Sequence, residues 1–169
     1  MRKAWLVLLL LSSTFALSAD RDFYLANNAL KFRAPEEWTV LAEHLTGPAT
    51  LVTFLIKNPA AETRGASNAV ITSLDLRDKD AAKKFKHAVN EIRSEAKDPV
   101  MDGDWFCNVF NDTEDHVEYV ISDCSKQLGD YGIRVRVAFP LPSEDVPEYG
   151  HWVLLTMRSL TGSVVLSPK

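Results

Sequence analysis

The chain alternates. Ile133, Val135, Val137 and Phe139 are apolar at every second position, with Arg134 and Arg136 between them. That is the period of a strand with one buried face. Val70, Thr72, Leu74 and Leu76 alternate in the same way with Ile71, Ser73, Asp75 and Arg77. Residues 51–56 (LVTFLI) are almost continuously apolar, which predicts a central strand. Phe23-Tyr24-Leu25 and Leu30-Lys31-Phe32-Arg33 flank Asn27-Asn28, a residue type that tolerates left-handed backbone, so they predict two strands around a turn. Pro35 ends the second of them. Trp38-Thr39-Val40-Leu41 predicts a third strand, broken at Gly47-Pro48.

Two segments change period. Over residues 78–97, Ala81, Phe85, Ala88, Val89, Ile92 and Ala96 fall on one helical stripe, opposite Lys84, Glu91, Arg93 and Glu95. Asp78 or Asp80 can cap this helix, and Asp98-Pro99 stops it. His87 lies on its polar side. Over residues 146–160, Tyr149, Trp152, Val153, Met157 and Leu160 suit a second helix, with Asp145 as cap and Pro147 in its first turn. Gly150 and the run 152–156 also suit a strand; the helix is the preferred reading. Val164 to Leu166 form a last apolar segment. Strands, a helix, more strands and a closing helix predict an α+β fold, a largely antiparallel β-sheet with packed helices.

Residues 104–125 (DWFCNVFNDTEDHVEYVISDCS) read as two strands around a polar turn and hold both cysteines, Cys107 and Cys124. A tight turn at residues 111–115 sets Cys107 opposite a residue near Tyr119. On that register, joining the cysteines needs a wider loop, a bulge or a folded-back strand end.

The first 19 residues decide what the cysteines mean. Arg2 and Lys3 precede an uncharged apolar run at residues 5–11, and Ala16-Leu17-Ser18 fits a small-x-small cleavage site. This is the anatomy of a secretory signal peptide, cleaved after Ser18 or Ala19. The run is short for a bilayer span, and no cysteine follows it to take a lipid. The expectation is one globular domain over residues 20–169, periplasmic or secreted, with no membrane insertion after cleavage. In that compartment an isolated cysteine pair predicts a disulfide. Cleavage also leaves 17 basic against 23 acidic residues and moves the formal charge from −4 to −6. An acidic domain has no electrostatic case for nucleic acid or anionic lipid.

Catalytic signatures are absent: no G-x-S-x-G, H-E-x-x-H, phosphate-binding glycine loop or C-x-x-C occurs. No catalytic residue, metal ligand or cofactor is therefore assigned. Asp112, Glu114, Asp115 and His116 crowd one turn, and Glu144, Asp145, Glu148 and His151 crowd another. Neither has the spacing of a calcium or transition-metal site, so both read as solvated acids. His44, His87, His116 and His151 are scattered. Asn111-Asp112-Thr113 is a glycosylation sequon, relevant only to a eukaryotic secretory route. Arg134 and Arg136 point to one side of their strand; with Lys31 or Arg33 on a neighbour they would form a basic strip for an acidic partner. Trp38, Trp105 and Trp152 are core candidates, and a partly exposed one is an interface candidate.

Residues 30–38 (LKFRAPEEW) resemble the opening of PsbP-like domains: an apolar strand, a proline, then a tryptophan. The later order of elements and the closing Met157-Arg158-Ser159-Leu160 are compatible with that superfamily over most of the chain. The two cysteines and the tail after Gly162 depart from it. The resemblance implies an α/β/α sandwich that acts by binding other proteins, and it carries over no catalytic residue. The function expected is a non-enzymatic, exported protein-binding role of accessory or chaperone type, with Arg134, Arg136 and Trp105 as candidate partner-binding residues. Alternatives are an immunity protein against an envelope-acting toxin, a small-ligand or metal carrier, and, least favoured, a hydrolase with Cys107 or Cys124 as nucleophile.

Overall fold

In a computed structural model, residues 20–58, 65–95, 100–142 and 149–168 are described. The signal-peptide reading and the 143–148 helix start lie outside them. Among the described residues ten strands and two helices follow in the order β1 (Asp20–Leu25), β2 (Leu30–Pro35), β3 (Thr39–His44), β4 (Ala49–Ile56), β5 (Ser67–Asp75), α1 (Lys79–Glu95), β6 (Val100–Asp102), β7 (Trp105–Glu114), β8 (Val117–Leu128), β9 (Tyr131–Pro140), α2 (Tyr149–Ser163) and β10 (Val165–Leu166).

Seven strands form one antiparallel sheet, β3-β4-β5-β9-β8-β7-β6. The other three form a small sheet, β1-β2-β10. Alternation decides what each face of the large sheet meets. Val52 and Phe54 of β4 and Ile133, Val135, Val137 and Phe139 of β9 are buried on one face. There Phe54 packs edge-on against Phe23 and Phe32 of the small sheet, and Phe139 against Trp152 of α2. The opposite face carries α1. Its Phe85 ring lies over Gly132, where a Cβ would come within 2.5 Å of it. The layers are thus α1, the large sheet, and α2 side by side with the small sheet. This is the expected α+β class.

Local chemistry accounts for the boundaries. Asp78 caps α1, its Oδ1 accepting the Ala81 N–H at 2.8 Å. Ala26, Asn27 and Asn28 have positive φ in the β1–β2 turn. The 146–160 segment is a helix, Tyr149–Ser163. The β7–β8 turn falls later than expected, at Asp115 and His116, both left-handed at φ 49° and 65°. Two consecutive positive φ values are what a two-residue hairpin of right-handed twist requires, and Asp and His are among the non-glycine residues that tolerate them. Residues 111–114 are therefore strand, despite their polarity. The new register sets Cys107 directly opposite Cys124.

Candidate functional site

The cysteines form a disulfide with Cα atoms 4.1 Å apart, on the core face of β7 and β8. No wider loop or bulge is needed. Among the described residues no cysteine is free, so neither sulfur is a thiol nucleophile.

Exposed apolar residues flank α2, which is pinned at both ends. At its start the Tyr149 hydroxyl donates to the Pro140 carbonyl at 2.6 Å. Asn58 Nδ2 donates to the same two oxygens, at 3.1 Å to the phenol and 3.3 Å to the carbonyl. Burial pushes the Tyr149 phenol above its ordinary pKa, and the bond from Asn58 partly opposes this. At its end Ser163 Oγ bridges the strand backbone, accepting from the Arg33 N–H at 3.0 Å and lying 3.1 Å from the Arg33 carbonyl. Val153, Met157 and Leu160 bury the inner stripe. Leu154 and Leu155 face outward, 43% and 50% exposed.

A groove flanks the helix on either side. One, about 560 Å³, lies between α2 and the β2–β4 region and is lined by Trp38, Ile56, Lys57, Trp152 and Leu155 among others. The other, about 350 Å³, lies between α2 and the outer part of the β7–β8 hairpin; Val109, Val120, Leu141, Leu154 and Met157 line it. Leu155 belongs to the first and Leu154 to the second, so the helix is an apolar ridge between two grooves.

The residues singled out from sequence are dispersed. Trp105 is buried, with Lys126 Nζ 5.9 Å from its ring centre; the half-buried tryptophans on a groove are Trp38 and Trp152. Arg134 and Arg136 lie on the α1 face, away from α2. Arg134 forms a bidentate pair with Asp123, whose side chain is only 3% exposed. Arg136 approaches Glu114 at 4.0 Å. Lys31 and Arg33 belong to the small sheet, not to a neighbouring strand of β9, and Lys31 pairs with Asp22 at 2.7 Å. No group of three metal-ligating side chains occurs among the described residues; Glu144, Asp145 and Glu148 lie outside them. His87 pairs with Glu91 one turn on, at 3.2 Å. No helix among the described residues is long and apolar enough to cross a membrane.

The class defined by these layers is an α+β fold, and solved structures share it. The Ran-binding protein Mog1p of Saccharomyces cerevisiae superposes with a TM-score of 0.55 at 13% identity, over 88% of this chain and 96% of its own. A protein from Bacteroides thetaiotaomicron superposes with a TM-score of 0.51 at 13% identity, over 88% of this chain but 48% of its own. No family model and no curated protein matches the chain. The likeness is one of fold.

Proposed function

We propose that this protein is an exported, non-enzymatic module, periplasmic or secreted, that binds another protein in an accessory or chaperone-like role. The observation that carries the reading is the α2 ridge. A helix held at both ends presents Leu154 and Leu155 outward between two grooves, a mixed one that holds Trp38 and Trp152 and a largely apolar one against the β7–β8 hairpin. Rigid apolar side chains beside half-buried tryptophans are what protein interfaces use as anchors. Mog1p, which shares the fold, is a Ran-binding protein, so the scaffold is one on which a protein-binding surface has been built. The disulfide supports an oxidising compartment.

The test is site-specific photo-crosslinking in the native host. A photoreactive residue at Leu155 is expected to give one discrete adduct, lost when Leu154→Glu is added. The same residue at Lys84, on the exposed side of α1, is the control. No adduct from Leu155, or the same adducts from both positions, overturns the reading.

A further inference from the structure

The large sheet ends on β7 for most of the length of that strand. β8 pairs with β7 from Phe106 to Glu114. On the other side β6 pairs only with Trp105, Phe106 and Cys107. From Asn108 to Glu114 that outer edge has no strand beside it among the described residues. Such an edge offers its backbone N–H and C=O groups to any extended chain that can lie along it.

The side chains of β7 specify what that chain carries. Successive residues of a strand face opposite sides. Val109, Asn111 and Thr113 face the α2 side, where Val109 and Asn111 line the nearer groove and Val109 is 55% exposed. Phe110, Asp112 and Glu114 face the α1 side, the first two in one cleft with Arg134 and Arg136. The end of the hairpin is acidic. Asp112, Glu114, Asp115 and Glu118 stand there, and no lysine or arginine occurs between Trp105 and Ser125. Arg136, at 4.0 Å from Glu114, sets one positive charge against four negative ones. Two copies of this edge side by side would bring acids against acids, and like charges opposite each other on neighbouring strands are destabilising. A strand with lysine or arginine opposite Asp112 and Glu114 meets attraction instead. Its alternate residues then fall on the α2 side, where an apolar side chain covers Val109. We propose that the open edge of β7 takes up an extended segment of another protein in which basic and apolar residues alternate, the basic ones toward Asp112 and Glu114 and the apolar ones toward Val109. Backbone hydrogen bonds would hold any added strand; the charges and the alternation select this one. The proposal goes beyond the α2 ridge and does not depend on Leu154 or Leu155.

The purified protein is titrated with a capped hexapeptide of alternating lysine and valine, and backbone amide resonances are followed by NMR. One control peptide alternates glutamate and valine. A second places three lysines before three valines, which keeps the composition and removes the alternation. The lysine–valine peptide is expected to saturate at one per chain, to shift residues 109–114 most, and to show nuclear Overhauser contacts between its backbone and that of β7. Neither control is expected to do so at the same concentrations. Exchanging both acids, Asp112→Lys with Glu114→Lys, is expected to weaken binding about tenfold and to let the glutamate–valine peptide bind in its place. Both positions are exposed, so the exchanged protein is expected to keep its melting temperature. If it fails to fold, Asp112→Asn with Glu114→Gln decides, with an expected weakening of about threefold. Absence of saturable binding by the lysine–valine peptide overturns the proposal. So does equal binding by the block peptide, binding unchanged in the charge variants, or shifts that fall outside β7. A dimer in sedimentation of the free protein that the peptide dissociates would make a second copy the occupant of the edge, and would overturn it as well.

Discussion

Gly132 shows how one residue sets the distance between layers. Its missing side chain is the space that the Phe85 ring occupies, so α1 can rest directly on β9. Gly132→Ala puts a methyl group 2.5 Å from that ring. Overpacking of this kind costs about 1–3 kcal/mol. Urea unfolding is expected to show that loss, and Phe85→Leu in the Gly132→Ala background is expected to restore part of it. Equal losses with and without Phe85 would place the strain elsewhere. Asp123 is a second such residue. Asp123→Asn leaves the Arg134 guanidinium without its carboxylate in a largely buried site, and the expected loss is about 2 kcal/mol, moderated by the exposure of the arginine. Neither residue stands out in the sequence, because what makes each matter is a side chain on another element, Phe85 of α1 and Arg134 of β9.

At the scale of elements, what was legible is what repeats locally. β9 announces itself because its apolar residues all face the same core, and α1 because its stripe lies on one sheet. β6 did not, since three residues are too few to show a period. The β7–β8 turn was placed too early because residues 111–114 are polar. They are polar because the end of the hairpin is exposed, not because the chain turns there. That shift hid the direct opposition of Cys107 and Cys124 across the two strands, though not the disulfide itself. Helix α2 was legible in its apolar stripe but not in its anchors, which join residues far apart in sequence. Those anchors predict a pH effect. The folded-state pKa of Tyr149 is raised, so its contribution is fully present below the unfolded value of about 10 and is lost as pH rises through the folded one. Stability measured by denaturant unfolding is expected to fall above about pH 10, and Tyr149→Phe to flatten that alkaline arm. The same variant is expected to lose about 1 kcal/mol at neutral pH, from the bond to Pro140. An alkaline arm unchanged in Tyr149→Phe would show that another group dominates it.

On the scale of the whole molecule, the large sheet separates the α2 ridge on one face from α1 on the other. The disulfide joins two strands near the far edge of that sheet, and neither cysteine lines a groove. It closes a loop of 17 residues, which in the chain-entropy account stabilises the fold by about 3 kcal/mol. Replacing Cys107 and Cys124 with serine is expected to cost about 2–4 kcal/mol, because the buried pair also loses its packing. The loss is expected to appear as a lower denaturant midpoint with a slope that is unchanged or steeper, since the unlinked unfolded chain exposes at least as much surface. The photo-crosslink from Leu155 is expected to persist in this variant at a temperature where it remains folded, because α2 is anchored to β2 and to the end of β9 and not to the cysteines. A folded double variant that no longer gives the adduct would contradict this separation, and would move the partner surface from α2 onto the β7–β8 hairpin, whose Val109 already lines the nearer groove at 55% exposure.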